Sequence, residues 1–123
     1  MTTTTTPLPN RIGQVFIPVQ DISAAAAWYS RLLGLPLGEL TGSTIYDLPT
    51  LGEVGLFLDA NRPSLATDGA PRFYWVVEDL GAVRTHLDAL GVEVVGDVQD
   101  VGTESILHFR DPDGNLLMVS APN

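Results

Sequence analysis

The stretch Val19-Gln20-Asp21-Ile22 opens a predicted helix that ends at Gly34, and Val77-Glu78-Asp79-Leu80 opens a second helix that ends at Gly91. The two aspartates are 58 residues apart, which is close to half of the 123-residue chain. Each aspartate can cap its helix by accepting hydrogen bonds from the free N–H groups of the first turn. A repeat of this length predicts two copies of one supersecondary unit, which must pack together or on a partner to bury their apolar faces.

Segments with the alternation typical of strands surround both helices. The predicted strands are 12–19, 37–40, 44–48 and 54–58 in the first half, and 72–77, 92–95, 105–110 and 116–120 in the second. Each half is therefore predicted to be a βαβββ module, and the fold class is α+β, with helices on the outer face of the sheets. The sequence Asp-Pro-Asp-Gly-Asn at 111–115 predicts a tight turn, because proline fixes φ and glycine accepts positive φ.

The length of the chain predicts one domain with a sizeable core. Residues 1–10 are rich in threonine and proline, and we expect them to form a disordered tail. The single domain is expected over 11–120, with module 1 at about 11–60 and module 2 at about 70–120. A segment with turn-forming residues at 60–70 is the predicted linker between them.

Charge and composition exclude several classes of protein. Six basic and fifteen acidic residues give a net charge of −9, and there is no lysine, so a nucleic-acid partner is not expected. No apolar run approaches the roughly 20 residues that span a bilayer, and the first ten residues lack the features of a secretory signal. The absence of cysteine excludes disulfides and thiolate chemistry. It is compatible with a reducing cytoplasm, where we expect the protein to be.

Three stretches of the chain resemble the vicinal oxygen chelate superfamily, which includes glyoxalase I, extradiol dioxygenases and bleomycin-resistance proteins. They are Trp28-Tyr29-Ser30-Arg31-Leu32-Leu33-Gly34-Leu35, Leu90-Gly91-Val92 and Phe109-Arg110-Asp111-Pro112-Asp113-Gly114-Asn115. The resemblance covers about residues 12–120. It implies a curved mixed sheet around a cavity that is often shared across a homodimer, and we expect a homodimer here.

Metalloenzymes of this superfamily hold a divalent ion with four side chains, two from each module. The resemblance places the first ligand at Gln14 and its counterpart at Arg72, each seven residues before a capping aspartate. The last ligand position is Met118, and the remaining one falls in 54–58, which contains no carboxylate. A permanent cation such as Arg72 offers no lone pair, and a divalent ion needs several converging N or O donors. We therefore expect no metal or other cofactor, with Gln14 as the only ligand compatible with the superfamily.

Strand alternation predicts which side chains face the cavity. The expected ligand-binding residues are Gln14, Phe16, Arg72, Tyr74, Ile106 and Met118, and the candidate catalytic residues are Glu104 and His108. A mainly apolar wall with a few polar groups is typical of a small-molecule site. Arg72 either binds an anionic group of the ligand or pairs with Glu104 or Asp100. His108 is either a hydrogen-bonded wall residue or a proton-transfer group. His86, opposite the apolar stripe of the second helix, is expected to face solvent.

Three functions remain open at this point. The leading hypothesis is a metal-independent protein that binds, and thereby sequesters, a small aromatic or amphipathic metabolite or antibiotic. The second is a metal-free enzyme in which His108 or Glu104 is the general base and Arg72 holds the substrate. The third is a divalent-metal-dependent lyase, isomerase or dioxygenase with an atypical ligand set. Resemblance in fold does not choose among them, because this fold carries many chemistries.

Overall fold

The computed structural model describes residues 6–40, 43–61 and 70–123. Its elements in chain order are β1 (Gln14–Pro18), α1 (Ile22–Leu33), β2 (Ile45–Leu48), β3 (Gly55–Asp59), β4 (Trp75–Val76), α2 (Leu80–Ala89), β5 (Glu93–Asp100), β6 (Glu104–Arg110) and β7 (Leu116–Pro122). Residues 6–10 of the predicted tail are exposed and irregular. Residues 1–5 of that tail and most of the predicted linker lie outside the described residues.

The strands form two mixed sheets, one in each half of the chain. Sheet A has the order β1-β3-β2, with β1 parallel and β2 antiparallel to β3. Sheet B has the order β4-β7-β6-β5, with β4 parallel to β7 and the other neighbours antiparallel. Helix α1 packs on sheet A and helix α2 on sheet B. The predicted α+β class, with two related modules in tandem, is confirmed.

Both helices begin and end where the local sequence predicts. The Asp21 carboxylate accepts from the N–H groups of Ser23 (2.9 Å) and Ala24 (3.2 Å), and Asp79 accepts from Ala82 N–H at 3.0 Å. Gly34 and Gly91 follow the helices with φ of 66° and 69°, which other residues rarely adopt. In the described part of the chain, no helix is long and apolar enough to cross a membrane.

Two of the predicted strands differ from the structure: one is absent and the other is much shorter. Residues 37–40 form no strand, because Pro36 and Gly38 interrupt the segment and the Gly38 N–H donates to the Tyr46 hydroxyl (2.7 Å) instead of to a neighbouring strand. The strand predicted at 72–77 is reduced to the two residues of β4. This strand has a partner on one side only, and it follows Pro71, which lacks an N–H.

Strand β5 is longer than the predicted 92–95. Its pairing with β6 shifts between Val95, which lies opposite His108, and Gln99, which lies opposite Ile106. Four steps along β5 thus correspond to two along β6, which is a bulge. Gly96, with φ of 74°, supplies the backbone conformation that the bulge requires.

One hydrophobic core runs through both modules. Its buried members include Ile17, Tyr29 and Leu58 from the first module, and Leu87 and Phe109 from the second. Apolar side chains from both helices and both sheets therefore leave water together, which joins the modules into one folded unit.

The turn at 111–115 locks the second module onto the first, and we call it the clamp loop. The buried Asp111 carboxylate accepts from the Tyr29 hydroxyl (2.6 Å) and from Asn115 Nδ2 (2.8 Å). Asn115 Nδ2 also donates to the Pro18 carbonyl (2.8 Å), and Asp113 accepts from the Gln20 N–H (2.9 Å). Burial, together with the negative charge of Asp111, raises the pKa of Tyr29 well above its usual value.

The two helices are also linked directly. His86 Nε2 on α2 lies 2.9 Å from the carbonyl oxygen of Leu32, near the end of α1. His86 is exposed, as expected, and its imidazole also reaches an end carbonyl of the neighbouring helix, a contact that the sequence did not predict.

Candidate functional site

The inner face of sheet B, away from α2, brings together three of the predicted site residues. His108 is paired with Met118 across β6 and β7, and Ile106 is paired with Ser120 two residues further along. Since alternate residues of a strand point to opposite faces, these side chains share one face. The residues between them, which are Leu107, Phe109, Leu117 and Val119, are buried in the core.

Tyr74 and Val76 extend this face at the β4 edge. Val76 is paired with Ser120 and is 74% exposed, and Tyr74, which precedes the strand, is 46% exposed. Their neighbours Phe73 and Trp75 turn the other way and pack against the core. The inner face of sheet B thus presents apolar and aromatic side chains to solvent within the single chain.

Arg72 is exposed at the same edge and forms no ion pair with any described residue. The alternative in which it pairs with Glu104 or Asp100 was therefore wrong. The Asp100 carboxylate instead accepts from the Gly102 N–H and from Asn123 Nδ2, both at 2.8 Å, and these bonds lower the pKa of Asp100. The Arg72 guanidinium remains available to a ligand.

Glu104 and His108 lie on the same face of β6 but are four residues apart. At about 3.3 Å per residue they are separated by roughly 13 Å along the strand, so they cannot act on one proton. Neither side chain has a hydrogen-bond partner within the described part of the chain that would orient it for proton transfer. The geometry brings His108 next to Met118, not next to a carboxylate.

The inner face of sheet A is built around an aromatic pair. Phe16 on β1 is paired with Phe57 on β3, and their rings meet edge to face with centroids 5.9 Å apart. Asp47 on β2 is paired with Phe57 and completes the row. Phe16 is 48% exposed, which is unusual for a phenylalanine.

Gln14 is turned toward its own sheet. Its carboxamide covers Gly55, where there is no room for a side chain. With the amide orientation assigned from hydrogen bonding, its oxygen accepts from the N–H groups of Leu56 (2.9 Å) and Phe57 (3.2 Å). The lone pairs that a metal ion would need are therefore occupied by backbone donors.

The strand registers identify the fourth ligand position of the superfamily, which the sequence left open. Leu48 is paired with Leu56 in the first module, as Phe109 is paired with Leu117 in the second. The residue after Leu56 therefore corresponds to Met118, and that residue is Phe57. The four positions then hold Gln14, Phe57, Arg72 and Met118, which do not fit a divalent ion. Nowhere in residues 6–40, 43–61 and 70–123 do three or more His, Asp or Glu side chains cluster closely enough to hold one.

Two inner-face residues were not among the sequence predictions. Phe57 corresponds to Met118, and Asp47 corresponds to His108, since each lies opposite its counterpart in the matching hairpin. The internal repeat carried the necessary signal, because the two hairpins have equal lengths and could have been superimposed from the sequence.

The whole domain matches a known family. The family model described as the glyoxalase/bleomycin resistance protein/dioxygenase superfamily matches residues 11–119. The chain belongs to this superfamily. Superfamily members of known structure share its fold over nearly their whole length, so the resemblance drawn from the helix ends and the clamp loop is confirmed.

Three solved structures illustrate the similarity. TnmS3, an antibiotic binding protein from Streptomyces sp. CB03234, has a TM-score of 0.76 and 21% identity, covering 97% of this chain and 100% of that one. Lactoylglutathione lyase from Agrobacterium tumefaciens has a TM-score of 0.72 and 21% identity, with coverages of 94% and 96%. A glyoxalase/bleomycin resistance protein from Catenulispora acidiphila DSM 44928 has a TM-score of 0.68 and 25% identity, with coverages of 89% and 96%. An enzyme and a binding protein thus share this fold, so the fold alone does not decide the activity.

Proposed function

We propose that the protein binds and sequesters a small aromatic or amphipathic molecule with an anionic oxygen, without a metal ion. The observation that carries the proposal is the composition of the inner faces. Aromatic and thioether side chains, Phe57 and Met118, occupy positions where a metalloenzyme of the superfamily has ligands. Such side chains suit contact with an apolar ring, not coordination of a divalent ion.

The charged groups near these faces indicate the polarity of the ligand. Arg72 is a permanent cation with no ion-pair partner among the described residues, and its planar guanidinium can hold a carboxylate or phenolate with two parallel bonds. TnmS3, which is described as an antibiotic binding protein, has the same fold. That precedent makes sequestration of an antibiotic or a related metabolite the form of the proposal that we favour.

We also propose that two copies of the chain close the inner faces. Phe16 is about half exposed in the single chain, although an apolar side chain gains free energy when it leaves water. A two-fold dimer can cover both sheets with one repeated contact. Light scattering at micromolar concentration should give a mass close to twice the 13.2 kDa of the chain. A monomer mass would contradict this part of the proposal.

Metal independence can be tested by restoring donors. Thermal melts of the chelator-treated wild type with zinc, nickel, manganese or iron should show no saturable rise in Tm, because a ligand that binds only the folded state must raise Tm. The variant Phe57→Glu/Arg72→His/Met118→Glu should gain such a rise with at least one ion. A one-to-one complex between the wild type and any of these ions would overturn the proposal in favour of a metal-dependent enzyme.

Ligand binding can be tested with 1-naphthylacetate, an aromatic anion, in calorimetric titrations. We expect saturable binding that weakens by about two- to twelvefold in Phe16→Ala, since an aromatic contact contributes roughly 0.5–1.5 kcal/mol. Arg72→Met should weaken it by about three- to tenfold, because an exposed ion pair contributes less than a buried one. Arg84→Met is the matched control, since Arg84 is exposed on α2 and pairs only with Asp88. Equal affinities in all four proteins would contradict the assignment of the site.

A further inference from the structure

A cleft of about 700 Å³ opens between the β2–β3 loop and the free edge of β4. Its walls include Leu33 and Leu35 at the end of α1, Leu56 on β3, and Val76 on β4. This volume lies within the range of about 300–1,000 Å³ that is usual for small-molecule sites. Tyr74 and Val76, at the β4 edge of the inner face, also line the cleft, whereas Phe16, His108 and Met118 do not. The cleft therefore adjoins the inner-face site proposed above but has a different floor.

One wall of the cleft is the β2–β3 loop, which is the counterpart of the clamp loop in the other half of the molecule. Seven residues (49–55) separate the paired Leu48 and Leu56, and seven (110–116) separate the paired Phe109 and Leu117, so the two hairpins have the same register. Val54 therefore corresponds to Asn115. Val76 corresponds to Pro18, since each lies three residues before a capping aspartate.

In the open half, one backbone acceptor has no hydrogen-bond partner among the described residues. Asn115 Nδ2 donates to the Pro18 carbonyl in the clamped half, but the side chain of Val54 has no N–H to donate. The Val76 carbonyl points away from β7, because the N–H of Val77, the residue after β4, donates to the Ser120 carbonyl of β7 at 2.9 Å, and in a parallel pair the groups of the residue before it then face the other way. Within the described residues no donor reaches the Val76 carbonyl. Water reaches this carbonyl, because Val76 is exposed at a free sheet edge, and an N–H group on a bound molecule could take the place of that water.

The charge at the cleft is negative. Glu53 is the one charged side chain among the described residues that line it, and no described residue forms an ion pair with Glu53. The chain as a whole has a net charge of −9. A field of this sign attracts cations and repels anions.

We propose that this cleft is a second binding site, for an organic cation with an apolar body and a protonated amine. The amine N–H groups donate to the Val76 carbonyl and to the Glu53 carboxylate. The apolar body packs among Leu33, Leu35 and Leu56. The cleft and the inner-face site meet at Tyr74 and Val76 but select ligands of opposite charge, so probes of opposite charge and variants of the residues that are not shared distinguish them.

The experiment uses two probes of matched shape, 1-naphthylmethylammonium and 1-naphthylacetate, titrated into the full chain. We expect the ammonium probe to bind with one-to-one stoichiometry. Val54→Asn, which supplies the donor that Asn115 provides in the clamp, should weaken it by at least about tenfold, the equivalent of one well-made hydrogen bond. Glu53→Gln should weaken it by about three- to tenfold. Both residues are exposed, and unchanged melting temperatures would establish that the variants fold.

Two control variants separate the cleft from general charge and surface effects. Asp97→Asn removes a carboxylate, and Val98→Asn makes the same substitution as Val54→Asn, both on the exposed strand β5. Neither should change binding of the ammonium probe. Phe16→Ala should weaken only the acetate probe, so that a failure of the inner-face site leaves the cleft result interpretable.

Three outcomes would overturn the cleft proposal. The first is tight binding of the ammonium probe that Val54→Asn and Glu53→Gln leave unchanged. The second is an equal loss with Asp97→Asn, which would mean that net charge alone attracts the probe. The third is failure of the ammonium probe to bind; if Leu51→Ser, at the exposed tip of the β2–β3 loop, then also breaks a dimer in light scattering, the reason is that a second copy covers the cleft. In that case the cleft is a contact between two copies of the chain.

Discussion

The two hairpin loops of this molecule have equal lengths and equivalent positions in the repeat, yet only one of them is held to the other module by buried hydrogen bonds. In the clamp loop, Asp111 and Asn115 form a buried hydrogen-bond network with Tyr29 and Pro18. In the β2–β3 loop, the Thr50 hydroxyl donates only within its own loop, to the Val54 carbonyl at 2.6 Å. After a duplication, one copy of a loop can therefore stabilise the contact between the two modules, while the other copy stays free of such contacts and forms the wall of a cleft.

The helix residues at equivalent positions in the two modules differ in the same way as the loops. Tyr29 lies eight residues after its capping aspartate, and the residue at the same distance after Asp79 is Leu87. Leu87 is buried but has no hydroxyl to offer a carboxylate. A polar network in the open half would therefore leave groups unsatisfied, and an apolar lining is the arrangement consistent with its sequence.

The largest expected effect comes from removing the centre of the clamp. Asp111→Ala should lower the free energy of unfolding by about 3–5 kcal/mol, because the Tyr29 hydroxyl and the Asn115 amide are left buried with fewer partners. Urea titration followed by tryptophan fluorescence measures the change. Thr50→Ala, at the corresponding place in the open loop, is the control and should cost at most about 1 kcal/mol. Similar losses in both variants would mean that the loops contribute equally.

Tyr29→Phe should have the next largest effect, a loss of about 1.5–3 kcal/mol for one hydrogen bond to a charged acceptor. It should also change the alkaline limit of stability. The pKa of Tyr29 is raised in the folded state, so the hydroxyl's contribution is fully present below its unfolded pKa of about 10 and is lost as pH rises above it. The gap between wild type and variant should therefore narrow by up to about 1.4 kcal/mol per pH unit above that value. A constant gap from pH 8 to 11 would contradict the assignment.

On the side of the open cleft, His86 provides the contact between the helices. His86→Ala should cost about 0.5–1.5 kcal/mol, the usual contribution of one hydrogen bond. Arg84→Ala on the same helix removes only an exposed ion pair with Asp88 and should cost about 0–0.5 kcal/mol. Thermal unfolding of both variants compares the two contacts. A loss from His86→Ala as large as that from Asp111→Ala would mean that the two sides of the molecule are equally locked.

The smallest expected effect is a gain. Desolvation raises the pKa of Asp113, with a further contribution from the charge of Asp111, although the bond from the Gln20 N–H opposes this. A raised folded-state pKa means that the charged form costs stability at neutral pH and that this cost disappears in acid. Asp113→Asn keeps an acceptor for Gln20 and should gain about 0.2–0.5 kcal/mol at pH 7, since the side chain is partly solvated. The gain should vanish below about pH 4. A less stable variant at pH 7 would show that the Asp113 charge is needed.

The sequence predicts the helices and the turn best, because their signals are local. A carboxylate three residues from a free N–H, or a glycine at a helix end, needs no distant partner. The segments at 37–40 and 72–77 were predicted poorly because an edge strand exists only where a neighbour pairs with it. The clamp loop was predicted as a turn, but its hydrogen bonds to the first module were not predicted, because Tyr29 and Asp111 are 82 residues apart in the chain.

For the candidate site too, features that depend on local sequence could be predicted and features that depend on distant residues could not. Alternation along a strand placed Ile106, His108 and Met118 on one face, since it depends only on the backbone. Phe57 was missed because its equivalence to Met118 follows from comparing the two hairpins, which are far apart in the chain, and no pattern within one strand supplies that comparison. Pairing between charged side chains is equally non-local, and the suggested contact of Arg72 with Glu104 did not form.

The bulge in β5 affects the tendency of the protein to polymerise at high concentration. A free sheet edge offers a row of backbone groups on which strands of other chains can add, which is how fibrils begin to grow. The shift between Val95 and Gln99 breaks that row, and Glu93, Asp97 and Asp100 line the same strand with negative charge. A second strand arriving there would meet a kinked template and electrostatic repulsion. Concentrated protein should therefore resist polymerisation from this edge, and deleting Gly96 and Asp97 to straighten the strand should remove that protection.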